Sequence, residues 1–103
     1  MVFPKFIIEE DSELGNCLII AKCTYHKQLA TFEDKVKGGG WWIRKGDEFT
    51  LHGKSEDFGE ADFDTIKECI LKGNVYSNKS LSMKLDNFKF KYKNIYGEIV
   101  EIN

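Results

Sequence analysis

The chain has 103 residues, of which 42% are hydrophobic, 31% are charged and 14% are aromatic. These values are typical of a single globular domain, residues 1–103, and they exclude a disordered chain, because aromatic side chains can bury large apolar areas. Fifteen basic and seventeen acidic residues give a net charge of −2. That balance does not produce the single-sign field that favours binding to phosphate backbones, so nucleic acid is disfavoured as a partner.

The chain carries no sign of a membrane segment or of a disulfide framework. No apolar stretch approaches the ~20 residues that span a bilayer, and the acidic opening MVFPKFIIEEDSE lacks the pattern of a signal peptide. We therefore expect a cytoplasmic protein without a membrane partner. Cys17, Cys23 and Cys69 form no CxxC pair, which predicts buried, reduced thiols and no zinc site.

The N-terminal third predicts two strands followed by an ambiguous segment. Residues 5–9 read as a short strand, and residues 17–25 form a run that begins apolar on both faces, as in a strand at the centre of a sheet. Residues 26–37 show spacings of three and four between apolar positions. A short helical turn and an extended segment both remain open there.

The middle of the chain predicts a tight hairpin. Gly46-Asp47 separates two strands, residues 41–45 and 48–53, and such a two-residue connection favours a primed turn. In the resulting register Trp41 faces His52. Because neighbouring residues of a strand point to opposite faces, the two consecutive tryptophans can both be buried only if both faces of the sheet are covered.

The C-terminal half predicts one helix and two more strands. Asp62 or Asp64 can cap a helix that Gly73 ends. Its apolar face comprises Phe63, Ile66, Cys69 and Ile70. Residues 87–93, NFKFKYK, alternate between an aromatic face and a lysine face, and residues 98–102 read as a return strand. The predicted fold is α+β, with a single mixed or mostly antiparallel sheet of five to six strands and one or two helices packed on it.

Few residue patterns in this chain indicate a catalytic, metal-binding or ligand-binding site. Gly38, Gly39 and Gly40 are followed by a predicted strand, whereas phosphate-binding glycine motifs require a helix at that place, so the glycines indicate a bend into the sheet. His26 and His52 are the only imidazoles. The acidic residues after position 55 lack the calcium-loop spacing, which predicts no metal site. The motifs predict no cofactor.

The order of a triple glycine, a strand pair, Gly53-x-Ser55, Phe58-Gly59, Ala61 and a helix resembles the Janus/ocnus family of phosphohistidine phosphatases. The resemblance covers about residues 38–73. It implies a mixed sheet flanked by two helices, with His26 as general base and the loop after Ser55 as anion site. The chain departs from the family at Glu56 and Asp57, where small neutral residues are usual, and two carboxylates there would repel a phosphoryl group.

The whole chain, with its elements VKGGGWW at residues 36–42 and DFGEAD at residues 57–62, is also similar to a group of small proteins of tailed bacteriophages. That resemblance implies an accessory role in the cytoplasm of a bacterial host. Our first hypothesis is a non-enzymatic protein that acts by binding a macromolecule, with a protein favoured as the partner. The binding candidates are Trp41, Trp42, Glu56, Asp57 and Phe58. The alternatives are a phosphohistidine-phosphatase-like enzyme that uses His26 and Ser55, and a weak single-strand binder that uses the C-terminal lysine strand.

Overall fold

A single mixed β-sheet forms the frame of the protein. The computed structural model describes residues 1–79, 81, 83–85 and 87–103. Within them the strands are β1 Phe3–Asp11, β2 Gly15–Cys23, β3 Val36–Lys45, β4 Glu48–His52, β5 Val75–Tyr76, β6 Lys89–Lys93 and β7 Ile99–Glu101. Their order across the sheet is β5-β2-β1-β3-β4-β6-β7. The pairs β2/β5 and β4/β6 are parallel, and the other neighbours are antiparallel.

The α+β class and the single mixed sheet are confirmed, but the predicted strand number is wrong. The described residues form seven strands, whereas the sequence predicted five to six. The strand that the sequence did not reveal is β5, which has two residues and extends the sheet beside β2. A strand of that length contains no alternation of apolar and polar residues, so periodicity cannot detect it.

The helix predicted after the acidic loop is present as α1, Phe63–Leu71. Asp62 is its N-cap, since the carboxylate accepts a hydrogen bond from the Thr65 backbone N–H at 3.1 Å. Gly73 follows the C-cap with a φ of +73°, a conformation that glycine adopts without strain. In the part of the chain that the structure describes, no helix is long and apolar enough to cross a membrane.

The segment that sequence patterns left open contains two short 3₁₀ helices, His26–Leu29 and Glu33–Lys35. Two buried charged residues of β1 hold this segment on the sheet. Lys5 donates from Nζ to the Thr24 carbonyl at 2.6 Å, and the Glu9 carboxylate accepts from the backbone N–H groups of Thr31 and Phe32. The contacts that fix the segment are therefore tertiary, which is why local periodicity gave no clear prediction.

Both faces of the sheet are covered in its β1–β2 region. α1 packs on one face, and the segment with the 3₁₀ helices packs on the other. The larger core, on the α1 face, includes Phe6, Ile8, Leu18, Ile20, Phe49, Leu51, Ile66, Phe90 and Tyr92. The smaller core, on the opposite face, includes Ile7, Cys17, Ile19, Cys23, Leu29, Ala30 and Tyr76. The two faces predicted for β2 are confirmed by this division.

The triple glycine lies in β3, where three neighbouring segments approach its backbone. A Cβ on Gly38 would lie 2.6 Å from the Glu60 carbonyl oxygen, and one on Gly39 would collide with the Phe6 carbonyl of β1. A Cβ on Gly40 would lie 2.5 Å from the carbonyl oxygen of His52. The glycines are therefore needed for close backbone packing on both sides of β3, in addition to any bend.

Replacing Gly40 with alanine should lower the free energy of unfolding by about 3 kcal/mol, the upper end of the usual range for overpacking, because the blocking atoms belong to backbone. The matched control is Gly97→Ala, where the new methyl group meets open space and only the φ of +80° is unfavourable. That control should cost about 1 kcal/mol. Urea denaturation of both variants measures the difference, and equal losses would contradict the packing explanation.

Candidate functional site

The two tryptophans occupy opposite faces of the hairpin, in the predicted register. Trp41 pairs with His52, and Trp42 pairs with Leu51. Trp42 packs against the larger core, and its indole N–H lies 3.1 Å from the Lys5 carbonyl and 3.2 Å from the Ala21 carbonyl. Trp42 therefore ties β3 to the backbones of β1 and β2, whereas the indole N–H of Trp41 makes no such bond among the described residues.

Trp41 lies half-buried among aromatic and charged side chains on the face opposite α1. Its ring centre is 6.0 Å from that of His26 and 5.9 Å from that of Phe3, both in edge-to-face geometry. The Lys5 ammonium is 4.9 Å from the indole centre, a cation–π distance. The indole N–H has no hydrogen-bond partner among the described residues.

His26 begins the first 3₁₀ helix, three residues after β2 ends, and is only 3% exposed. Its Nε2 lies 2.8 Å from the Gly40 carbonyl oxygen. A carbonyl can only accept, so Nε2 carries the proton and Nδ1 is the free acceptor. Nδ1 has no hydrogen-bond partner among the described residues.

Burial lowers the pKa of His26 below its ordinary value of 6.5. The Lys5 ammonium lowers this pKa further, whereas the hydrogen bond to Gly40 and the carboxylates of Asp57 and Glu56 raise it. The net shift is downward, so the imidazole is neutral at pH 7. The influence of both carboxylates also shows that the acidic loop lies within electrostatic range of His26.

The loop 55–59 is closed by its own hydrogen bonds. Ser55 is 2% exposed, and its Oγ accepts from the backbone N–H groups of Asp57 and Phe58 at 3.2 and 3.1 Å. Gly59 donates its N–H to the Ser55 carbonyl at 2.9 Å. An anion could use these N–H groups only by displacing the Ser55 hydroxyl or carbonyl. Ser55 therefore stabilises a turn here, as a loop hydroxyl commonly does.

His26 and the loop 55–59 meet at Gly39. A Cβ on Gly39 would lie 3.3 Å from Cδ2 of His26. The same residue donates its N–H to the Gly59 carbonyl and accepts from the Ser55 N–H. The structure thus brings His26, Trp41, Glu56 and Asp57 to one region of the sheet. We call the exposed part of this region, formed by Trp41, Glu56 and Asp57, the Trp41 surface.

Phe58, the remaining binding candidate, is half-buried and packs against the smaller core. It anchors the acidic loop, in which Glu56 and Asp57 are exposed. Neither carboxylate forms an ion pair within the described part of the chain. The loop therefore presents two uncompensated negative charges on a fixed support.

Sequence patterns missed Lys5 as a residue of this site. Lys5 is 8% exposed although lysine is rarely buried, and its Nζ makes a single hydrogen bond to a carbonyl. The available signal was its position in β1, because Lys5 lies two residues before Ile7 and so shares the buried face of that strand. A lysine on the apolar face of a strand predicts a specific electrostatic role.

Among the described residues, the thiols and carboxylates form neither a reactive nucleophile nor a metal site. All three cysteines are free and buried, as predicted. Burial raises the pKa of Cys17 to about 11 and that of Cys69 to about 12, so neither provides a thiolate nucleophile at pH 7. No group of three His, Cys, Asp or Glu side chains among the described residues is arranged to hold a metal ion.

Comparisons of the chain with protein-family models, with curated proteins and with solved structures found no match. The resemblances to the Janus/ocnus family and to bacteriophage proteins therefore stay predictions from the sequence. The functional proposals below depend on the geometry of the site.

The lowered pKa of His26 predicts that the protein loses stability in mild acid. As the pH falls through 6.5, the unfolded chain binds a proton that the folded chain does not yet bind. The stability contribution is therefore complete above pH 6.5 and decreases below it, down to the folded pKa. Urea denaturation between about pH 7.5 and about pH 5 should show a shallower decline for His26→Gln than for the parent chain.

His52 provides the comparison for this experiment, since burial and Lys93 also lower its pKa. His52→Gln should remove only the share of the decline that belongs to position 52. If the parent chain and His26→Gln declined in parallel, the assignment of a lowered pKa to His26 would be wrong.

Proposed function

We propose that the protein is a non-enzymatic binding protein that holds a partner protein through the Trp41 surface. The observation that carries this proposal is that a half-buried indole and two exposed carboxylates both lie near His26, and that the carboxylates have no ion-pair partner among the described residues. Tryptophan is enriched at the centres of protein interfaces, where it supplies a large contact area. A cytoplasmic location and an accessory role belong to the same proposal.

The charge of the surface selects the class of partner. Glu56 and Asp57 are both exposed, and each can accept hydrogen bonds from an arginine or a lysine. Phe3, which is 37% exposed and lies edge-to-face on Trp41, adds aromatic contact area. A partner segment that combines basic and apolar side chains would match this surface, with the carboxylates setting its orientation.

A second candidate function is phosphoryl transfer to water with His26 as general base. The observation that favours it is the tautomer of His26, because the hydrogen bond from Nε2 to Gly40 leaves Nδ1 as the acceptor of a proton. The buried ammonium of Lys5 would attract a phosphoryl group to the same place. Two features oppose it: the N–H groups of Asp57 and Phe58 are occupied by Ser55, and the exposed carboxylates repel anions.

The third hypothesis, single-strand binding by the lysine strand, has no observation in its favour. Phe90 and Tyr92 lie in the larger core and cannot stack on bases. On the opposite face of β6, Lys91 is engaged by Glu48 at 3.2 Å and by Glu101 at 3.9 Å. We do not develop this function further.

The partner proposal predicts that the double variant Glu56→Gln and Asp57→Asn binds a basic peptide at least about tenfold more weakly than the parent chain, because two charge-assisted contacts are lost. The probe is a synthetic peptide of alternating arginine and leucine, titrated by isothermal calorimetry at physiological salt. The indole should report the same event as a shift in Trp41 fluorescence, which can be isolated in a Trp42→Phe background.

The matched control is the double variant Glu33→Gln and Asp34→Asn, which removes the same charge from two exposed positions on the second 3₁₀ helix. This control should change the affinity by less than about twofold, since distant surface charges contribute little at this salt concentration. Equal losses in the two double variants would show binding to net charge alone and would overturn the proposal.

The phosphoryl-transfer candidate predicts release of inorganic phosphate from a phosphohistidine peptide, with a loss of about a hundredfold or more in His26→Gln. The matched control is His52→Gln, which removes the only other imidazole and should retain the activity. Activity should persist below pH 6.5, because the base stays neutral down to its lowered pKa. Absence of turnover by the folded parent chain would exclude this candidate.

A further inference from the structure

A large cavity lies on the smaller-core face of the sheet, at the C-terminal end of β1. It has a volume of about 650 Å³, which is within the usual range for sites that bind small molecules. Residues of β1, of β2 and of the segment 30–35 line it. The cavity is separate from the Trp41 surface, because Trp41 pairs with Lys5 near the other end of β1.

The register of β1 and β2 places two carboxylates and an open position in this cavity. Glu9 lies opposite Cys17, and Asp11 lies opposite Gly15. Glu9, Asp11 and Cys17 all line the cavity, as expected for residues that share one face of the paired strands. A Cβ on Gly15 would meet no heavy atom within 4 Å. The position opposite Asp11 therefore carries no side chain and has open space.

The carboxylates of Glu9 and Asp11 have no ion-pair partner within the described part of the chain. Glu9 is 7% exposed, and its oxygens accept hydrogen bonds from two neutral backbone N–H groups. Oδ1 of Asp11 accepts from two backbone N–H groups of the following turn. Glu10 differs from both, because its carboxylate is paired with Lys37 at 3.6 Å. Two negative charges thus border the cavity without a cation bound to them.

These two charges act on the floor of the cavity. The pKa of Cys17 is raised to about 11, first by burial and then by the charges of Asp11 and Glu9. Lys35 and Lys79 also line the cavity, but both are exposed, and neither is among the charges that act on the Cys17 thiol. The potential at the floor is therefore negative, which favours a cation over an anion.

Tyr76 adds a polar group that the fold leaves unused beside the cavity. It pairs with Ile19, which lines the cavity, and it is only 6% exposed. Its hydroxyl has no hydrogen-bond partner among the described residues. Burial raises the pKa of Tyr76, and the charges of Cys17 and Asp11 add to the shift. A buried hydroxyl without a hydrogen bond is unusual, and a donor group held near Asp11 would satisfy it.

We propose that this cavity binds a small organic cation, a primary ammonium group on an apolar chain. Asp11 and Glu9 hold the ammonium, which has three N–H donors and can therefore meet more than one acceptor. Ile19 and Ala30 are buried apolar residues of the lining, and Phe32 contributes an exposed aromatic ring to it, so these residues contact the chain. The proposal is independent of the function assigned to the Trp41 surface, because it rests on other side chains.

The test is a titration of the full chain with hexylammonium at physiological salt, followed by amide chemical shifts. We expect saturable shifts at Asp11, Cys17 and Thr31. Asp11→Asn keeps the Oδ1 acceptor of the turn but removes the charge, so it should weaken binding by about fivefold or more. The matched control is Glu13→Gln, which removes a charge from the same turn without lining the cavity. It should change the affinity by less than about twofold.

Further probes test the choice of a cation on the parent chain alone, so the proposal stays testable if Asp11→Asn does not fold. Hexanol and hexanoate carry the same chain without a positive charge, and each should bind at least about fivefold more weakly than hexylammonium. A short peptide with one lysine shows whether a protein side chain can supply the ammonium, and saturation at the cavity by either amine supports the proposal.

Three results would overturn the proposal. The first is the absence of saturable shifts with both amines. The second is binding of hexanol or hexanoate as tight as that of hexylammonium, which would show that the carboxylates do not select the ligand. The third is an equal loss of affinity in Asp11→Asn and Glu13→Gln, which would show attraction to net charge alone.

Discussion

Close contact of backbone with backbone along Gly38, Gly39 and Gly40 is the constraint on which the rest of the structure depends. β3 is the central strand of the sheet, with β1 on one side and β4 on the other. The three glycines let the carbonyls of Phe6, His52 and Glu60 approach where a Cβ would otherwise lie. Since Gly39 also receives the His26 ring and both ends of the loop 55–59, the same absence of side chains builds the candidate site.

The second requirement is a pair of buried charges on β1. Lys5 binds the Thr24 carbonyl, and Glu9 binds two backbone N–H groups at the end of the following segment. Burying a charge is unfavourable unless hydrogen bonds compensate it, so holding the loop with these two residues costs desolvation free energy. What they achieve is a fixed path for residues 24–32. That path places His26 over Gly39, with Nε2 held by Gly40 and Nδ1 left free.

Sequence patterns predicted the structural elements that are determined by residues close together in the chain. The hairpin register around Gly46-Asp47, the Asp62 cap and the two faces of residues 17–25 all follow from turn chemistry, capping or alternation, and the structure has each of them. β5 and the two 3₁₀ helices could not be predicted, because distant partners stabilise them. For the same reason residue patterns could not predict the meeting of His26 with the loop 55–59, since it depends on contacts that no local pattern records.

The end of β4 places opposite charges on the two sides of one turn. Lys54 is exposed just after β4 ends at His52, and Glu56 and Asp57 are exposed two and three residues later. Ser55 separates them, and because it is buried and bonded to the loop backbone, the backbone between the two groups of charges is held in one conformation. Fixed charges of opposite sign a few residues apart attract a complementary pair in one orientation and repel it in the reverse one. A partner that presents a basic segment to Glu56 and Asp57 and an acidic group to Lys54 is therefore favoured in one direction over the reverse, and the hydrogen-bonded Ser55 turn keeps these charges in that order.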